Sequence, residues 1–484
     1  MFQSDTNSKM VFSSFIFIFL FLPLVLASYF LAPRAARNSI LLIFSLAFYG
    51  WGAPMVLLPL MVSCAIDYYV SKKLVPGAQS DGWRKYTLVA ILGFNLSLLG
   101  YYKYANLFVH EINRALGWFQ VTPLGWQEVL LPVGISFFTF HKITYLVDVY
   151  RGKVQLARSL RDYMLYVVLF SQLIAGPIVR YADVEGEIVK RTESINLFFS
   201  GLFRFSIGMG KKLLIADAMG DVANQVFALN SELLSAPWAW LGILAYSFQI
   251  YFDFSGYSDM AIALGWMFGF HFKENFNAPY SSRNITDFWR RWHISLSSFM
   301  REYLYIPLGG NKGTTFQTYR NLWIVFLLSG LWHGAAWNFV AWGAFHGFFL
   351  ALDKLCWLKI SERLPAALNV LLTFIVVMFG WVLFRAHDLS QALHYMSIMV
   401  GWVNPTGPVN LPRAYLIDNR GIVVLLAAAL ITFFPKFKLE PIPHIEVLGL
   451  RRTALRGAVI CLVLALSLCY LGSKGYTPFL YFRF

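Results

Sequence analysis

Two histidines beside tryptophans are the residues of this chain best suited to chemistry: His293 in Arg290-Arg291-Trp292-His293 and His333 in Leu331-Trp332-His333-Gly334. His333 lies in a run from Asn321 to Leu352 that contains no Asp, Glu, Lys or Arg. A helix needs about 20 apolar residues to cross the bilayer core, so this run is long enough to span it. An ionisable group inside such a run is costly and marks a functional position by default. A neutral imidazole can take a proton from a hydroxyl near pH 7, which makes His333 a candidate general base. The competing reading is a structural histidine, hydrogen-bonded to a neighbour. His293 can act beside His333 or anchor its Arg- and Trp-rich segment at the membrane interface. His346 reads as a packing or supporting residue, a little over three and a half turns beyond His333 if the helix is unbroken.

Other polar residues interrupt apolar surroundings. In Gln249-Ile250-Tyr251-Phe252-Asp253-Phe254-Ser255-Gly256-Tyr257-Ser258-Asp259-Met260, the pattern reads as a polar hinge held by interhelical hydrogen bonds. The alternative is a cavity lining in which Asp253, Ser255 and Tyr257 contact substrate. Glu274-Asn275-Phe276-Asn277-Ala278-Pro279-Tyr280 reads as a turn beside the membrane surface and adds Asn277 to the candidates. Trp332 and Gly334 flank His333, the glycine leaving room for close approach. Arg290 and Arg291 could hold phosphates of a donor such as coenzyme A, or be ordinary interfacial arginines. Leu308-Gly309-Gly310-Asn311-Lys312-Gly313 lacks the spacing of a nucleotide loop and reads as a connection. With no Gly-x-Ser-x-Gly elbow, serine hydrolysis is disfavoured. The histidines lack a short ligand spacing, so no metal is expected.

The elements that carry these residues are those of a polytopic all-α membrane bundle. Of 484 residues, 58% are hydrophobic and 13% charged, against roughly 25% charged in soluble domains. The net charge of +15 fits basic loops facing the cytoplasm and anionic membrane lipids better than nucleic acid. Cys64, Cys356, Cys461 and Cys469 show no Cys-x-x-Cys spacing, and Cys461 and Cys469 read as small packing residues.

Residues 1–10 read as a disordered tail and 11–484 as one membrane-embedded domain. Apolar segments are expected at 11–33, 38–66 with a break at Gly50-Trp51-Gly52-Ala53-Pro54, 87–105, 129–147, 163–179, 194–215, 236–252, 256–270, 321–352, 364–384, 421–435 and 457–473. Several are too short to cross alone and would be tilted or re-entrant. Loops 71–86 and 436–456 concentrate Lys and Arg and are placed in the cytoplasm. A transporter or flippase without acyl chemistry is the alternative class, since intramembrane histidines and acids also serve proton relays. A scaffold is a third reading.

Several motifs together resemble the membrane-bound O-acyltransferase family, and within it the branch that acetylates alginate. They include Tyr102-Lys103-Tyr104-Ala105-Asn106, Leu131-Pro132-Val133-Gly134-Ile135-Ser136-Phe137, Ile174-Ala175-Gly176-Pro177 and Tyr251-Phe252-Asp253-Phe254-Ser255-Gly256-Tyr257-Ser258-Asp259-Met260. Phe288-Trp289-Arg290-Arg291-Trp292-His293-Ile294-Ser295-Leu296, Leu331-Trp332-His333-Gly334 and the Tyr481-Phe482-Arg483-Phe484 ending extend the likeness over nearly the whole chain. One departure is His141, where the resemblance leads one to expect an acidic residue.

The resemblance implies a ring of about 11–13 helices around a central tunnel, with re-entrant segments. It matches His333 to the family's catalytic histidine and His293 to its second polar position. It further implies a bacterial inner-membrane acetyltransferase with no permanently bound cofactor and acetyl-coenzyme A as acetyl donor. The acceptor would be a hydroxyl of an extracytoplasmic polysaccharide (alginate-like, cellulose or peptidoglycan), reached directly or through a periplasmic acetyltransferase partner. His333 would act as general base, with His293 orienting the hydroxyl or the acyl carbonyl; an acetyl-imidazole on His333 is the chemical alternative.

Overall fold

The computed structural model describes residues 10–174, 176–230, 232–404, 412–434, 450–475 and 477–480. Among them the secondary structure is helical throughout. Residues 1–9, most of the 436–456 loop and the 481–484 ending lie outside the described residues. Two compact units divide the chain: Met1–Ile195 with Leu264–Lys273, and Asn196–Ala263 with Glu274–Phe484.

The first unit contains α1 (Leu22–Leu31), α2 (Arg37–Gly52), α3 (Pro54–Ser71), α4 (Asp81–Trp118), α5 (Ile135–Tyr150), α6 (Leu160–Val168) and α7 (Tyr181–Val189). The expected break near residue 50 is the junction of α2 and α3, where Ala53 leaves helical geometry and Pro54 begins the next helix. Proline suits the first helical position, because its missing N–H has no intrahelical partner there. α5 is buried along nearly its whole length, and its Lys142 is tolerated because Nζ lies 2.9 Å from Asp67 Oδ2. Asn95 donates to the other Asp67 oxygen at 2.8 Å. Removing one member of such a buried pair costs about 3–5 kcal/mol. His141, also on α5, is enclosed and packs against Tyr166 at 5.6 Å between ring centroids.

Two expected spans differ here. The 163–179 segment is helical only to Val168, after which the chain leaves helical geometry at Leu169. Gly176 lies so close to Gln172 that an added Cβ would stand 2.8 Å from its Cα, and Pro177 has no N–H to continue a helix. The 129–147 segment becomes helical only at Ile135, after Gly134 takes φ +78° against the Leu173 carbonyl.

The second unit contains α8 (Ile195–Gly210, whose first residue belongs to the first unit), α9 (Asp217–Phe227), α10 (Ala236–Met267, whose last turn belongs to the first unit), α11 (Ile285–Arg291), α12 (Ile294–Met300), α13 (Thr315–His333) and α14 (Trp337–Leu352). It continues through α15 (Leu358–Ser361), α16 (Ala366–Arg385), α17 (Leu389–Met399), α18 (Arg413–Leu416), α19 (Asn419–Phe433) and α20 (Leu450–Lys474). The expected segments 236–252 and 256–270 are one 32-residue helix, α10, and the polar stretch between them is no hinge. Gly256 sits mid-helix because α8 crosses there. A Cβ on Gly256 would lie 2.8 Å from the Gly208 carbonyl, and one on Gly208 would lie 2.6 Å from the Gly256 carbonyl. Small residues at such crossings let two helix backbones meet.

The uncharged 321–352 run is not one span either: it is the pair α13 and α14, separated at Gly334-Ala335-Ala336. Four helices among the described residues are long and apolar enough to cross a membrane: Pro54–Ser71, Trp337–Ser361, Ala366–Arg385 and Ala454–Lys474. Large apolar side chains such as Leu31, Met55 and Phe316 stand more than 70% exposed, as a lipid-facing surface requires and a water-facing one avoids. Cys461 and Cys469, expected to pack, are exposed on α20.

Candidate functional site

His333 is the last residue of α13, and the position of that helix is set at both ends. At its start Thr314 and Gln317 form a capping box, with Thr314 Oγ1 accepting from Gln317 N at 3.2 Å and Gln317 Oε1 accepting from Thr314 N at 2.9 Å. At its end α13 crosses α14 through Gly330 and Gly343. A Cβ on Gly330 would collide with the Phe339 carbonyl and stand 3.2 Å from Gly343 Cα. Gly334 then takes an extended conformation, which turns the chain back into α14. The reversal brings Trp342 against His333, ring centroids 4.9 Å apart, and Phe384 of α16 closes another side at 5.1 Å. His333 is 3% exposed. On α14, His346 packs against Trp342 one turn earlier and against Trp289 of α11 (4.9 and 5.0 Å) as part of an aromatic wall.

His293 lies between α11 and α12 with φ +45° and ψ +56°, a left-handed conformation that costs a non-glycine residue about 1–3 kcal/mol. Two backbone hydrogen bonds hold it there: Ile294 N donates to the Asn275 carbonyl at 2.9 Å and Asn277 N to the Arg291 carbonyl at 3.0 Å. Its ring is fully buried, edge-on to Phe254 at 4.7 Å, with Nδ1 3.1 Å from Asn275 Oδ1. Trp332 links the two histidines: its ring is 6.2 Å from His293 and 4.7 Å from His333. Two imidazoles thus flank one indole in an apolar enclosure, an arrangement that can move a proton while bulk water is kept out.

The remaining candidates divide. Trp332 belongs to this constellation. Gly334 faces no open space, since the Phe339 ring occupies the position its Cβ would take. Asp253 is tied into a buried cluster with Lys212 Nζ at 2.7 Å, which also meets Asp217 at 2.8 Å. The second Asp253 oxygen accepts from Leu480 N at 2.8 Å, and Tyr257 meets Phe479 edge-on at 4.5 Å. Those two residues therefore secure the 479–480 segment. Ser255 and Asn277 line a small polar cavity of about 80 Å³ together with Arg204, Lys211, Ser258 and Asp259. Arg204 bonds both Asp259 and Glu274, and Lys211 bonds Asp259 at 2.6 Å. Its two cations are thus matched by two carboxylates.

Arg290 and Arg291 part company as well. Arg291 Nε is held by Asp287 at 2.8 Å. Arg290 is exposed and lines a cavity of about 410 Å³ with Arg301, Trp289, Ser297, Val325 and Ser329. Ser329 is one helical turn before His333.

Asn275, absent from the sequence candidates although its motif was noted, is the residue that grips His293. Its signal is weak, because a stretch with two asparagines and Pro279 reads as turn chemistry. Arg204 and Asp259 also went unnoticed as a pair, 55 residues apart in the chain.

A model of the membrane-bound O-acyltransferase family matches residues 135–386. The chain is 40% identical to a probable alginate O-acetylase of Azotobacter vinelandii, over 98% of this chain and 100% of that protein. It is 36% identical to the peptidoglycan O-acetyltransferase of Helicobacter pylori, over 98% of both. A teichoic acid D-alanyltransferase of Bacillus subtilis is 28% identical over 52% of this chain and 68% of its own length.

Proposed function

The chain belongs to the membrane-bound O-acyltransferase family and is an integral membrane enzyme of acyl transfer to polysaccharide; from that footing we propose that it transfers acetyl from acetyl-coenzyme A to an alginate-like polysaccharide, directly or through a periplasmic partner, in the bacterial inner membrane. The observation that carries this reading is the pair His333 and His293 buried on either side of Trp332, within the residues that match the family. His333 takes the hydroxyl proton as the acceptor oxygen bonds to the acetyl carbon. The carbon–sulfur bond then breaks, and the proton passes to the leaving thiolate to give free coenzyme A. The carbonyl-rich end of α13 favours the positive charge that His333 carries in between.

The cavity beside Arg290 suits the donor. Its apolar walls fit a pantetheine arm, and Arg290 at the rim offers a charge to the phosphates, which cannot enter hydrocarbon. Names of the relatives support a polysaccharide acceptor of the alginate or peptidoglycan kind.

The test is transfer of labelled acetyl in membranes carrying the wild-type protein or His333→Ala. Loss of a general base costs about 10² to 10⁴ in rate, so His333→Ala should fall to background while the protein remains inserted. His293→Ala should lose as much or less. Near wild-type transfer by His333→Ala would remove that residue from the chemistry, and movement of polysaccharide without labelling would favour a transporter.

A further inference from the structure

Asn275 is 1% exposed, and its Oδ1 meets three groups: Ser295 N at 3.2 Å, Ser295 Oγ at 2.9 Å and His293 Nδ1 at 3.1 Å. A backbone N–H can only donate, so the atom facing Ser295 N is the amide oxygen and not the amide nitrogen. At the other end Asn275 Nδ2 donates to Ser258 Oγ of α10 at 3.1 Å, a hydroxyl that can accept it. An amide oxygen only accepts. Ser295 Oγ also lies 3.4 Å from His293 Nδ1, but its one hydrogen goes to Asn275 Oδ1 at 2.9 Å, so the His293 Nδ1 bonded to that oxygen carries the hydrogen. A neutral imidazole has one N–H, which leaves the lone pair at Nε2, across the ring from Asn275.

We propose that Asn275 is a positioning residue that locks His293 as the Nδ1–H tautomer, so that His293 orients the acceptor by accepting at Nε2 a hydrogen bond from a second hydroxyl of the sugar and does not donate to the acyl carbonyl. The reacting hydroxyl gives its one hydrogen to His333. The inference rests on the reading of His293 as part of the transfer site and assigns its role there. A neutral ring with its N–H committed to Asn275 has no donor left for an acyl oxygen. It has one acceptor, and a sugar hydroxyl beside the reacting one is a donor that matches it. Ser258 carries the restraint back to α10, and the left-handed backbone at His293 keeps the ring beside Asn275. Partners that orient a metal-bound histidine in the same way typically change activity by about 10- to 100-fold, and the same range is expected here.

The experiment labels the histidines with 15N in the full-length protein in lipid discs and identifies the His293 signals by their loss in His293→Gln. Protonated and unprotonated ring nitrogens resonate apart. We expect Nδ1 protonated and Nε2 unprotonated in the wild type. Ser295→Ala should keep this pattern, because the backbone N–H that orients the amide remains. Asn275→Ala should mix the two tautomers and lower labelled acetyl transfer on the order of 10- to 100-fold. Asn275→Asp, which can accept the same bonds, should restore the tautomer and most of the transfer.

Protonated Nε2 in the wild type overturns the proposal, and that measurement needs no variant of Asn275 to fold. Unchanged signals and transfer in Asn275→Ala overturn it too. Should His293→Gln transfer acetyl normally, the transfer role of His293 fails, while the tautomer measurement still stands on the resting protein.

Discussion

Replacing Gly330 with alanine probes whether the close crossing of α13 and α14 sets the position of His333. The added Cβ would collide with the Phe339 carbonyl and lie 3.2 Å from both Cα and N of Gly343. Carbon atoms settle at roughly 3.5–4.0 Å, so the helices must part by something on the order of 0.5–1 Å. Both partners are backbone, so no side chain can rotate away. Overpacking of this kind costs about 1–3 kcal/mol, which a large bundle survives. Catalysis is less forgiving, because a displacement near 1 Å can cost about 100-fold in rate. His333 is three residues from Gly330, with Trp342 one residue from Gly343, so the opening falls directly on the site.

The assay is labelled acetyl transfer in membranes at matched protein amounts, with thermal aggregation of the solubilised protein as the stability readout. Gly330→Ala should lose about 100-fold in transfer with a modest drop in thermal stability. Gly347→Ala is the control on the same hairpin, since its Cβ would meet the side chains of Trp323 and Phe326 at ordinary distances of 3.5 and 3.6 Å. Wild-type transfer by Gly330→Ala, or equal losses in the two variants, would refute the claim that this crossing positions His333.

The two arginines should separate in kinetics. Arg290→Gln should raise KM for acetyl-coenzyme A by about 10-fold, the lower end for a hydrogen bond to a charged group, and Arg291→Gln should change it little. Lys212→Met should destabilise the solubilised protein by about 3–5 kcal/mol, because it leaves Asp217 and Asp253 buried without their cation; denaturation by guanidinium measures this. A cysteine placed at Gln79, in the 71–86 loop, should resist an impermeant reagent added from the periplasm, because Lys72, Lys73, Arg84 and Lys85 hold that loop on the cytoplasmic side. Labelling from outside would reverse the topology.

Membrane class, helical architecture and family were legible in the residues alone, because each rests on local or additive properties. Hydrophobic runs and the scarcity of charge report the solvent that surrounds the chain. The α2–α3 break was legible for the same reason: Gly52, Ala53 and Pro54 act on their own backbone. His333 could be singled out because an ionisable group among uncharged neighbours is conspicuous without any knowledge of its partners.

What the tertiary structure decided depended on which distant residues meet. Gly256 reads as a hinge in isolation, but against Gly208 it is the contact that lets α10 run unbroken. Asp253 reads as a site residue until Lys212 and Leu480 claim its oxygens. Trp332 between the two histidines, and Asn275 against His293, required chain reversals that no periodicity encodes. A sequence shows which residues are costly to bury; only the fold shows which partner offsets that cost, and whether chemistry is left over.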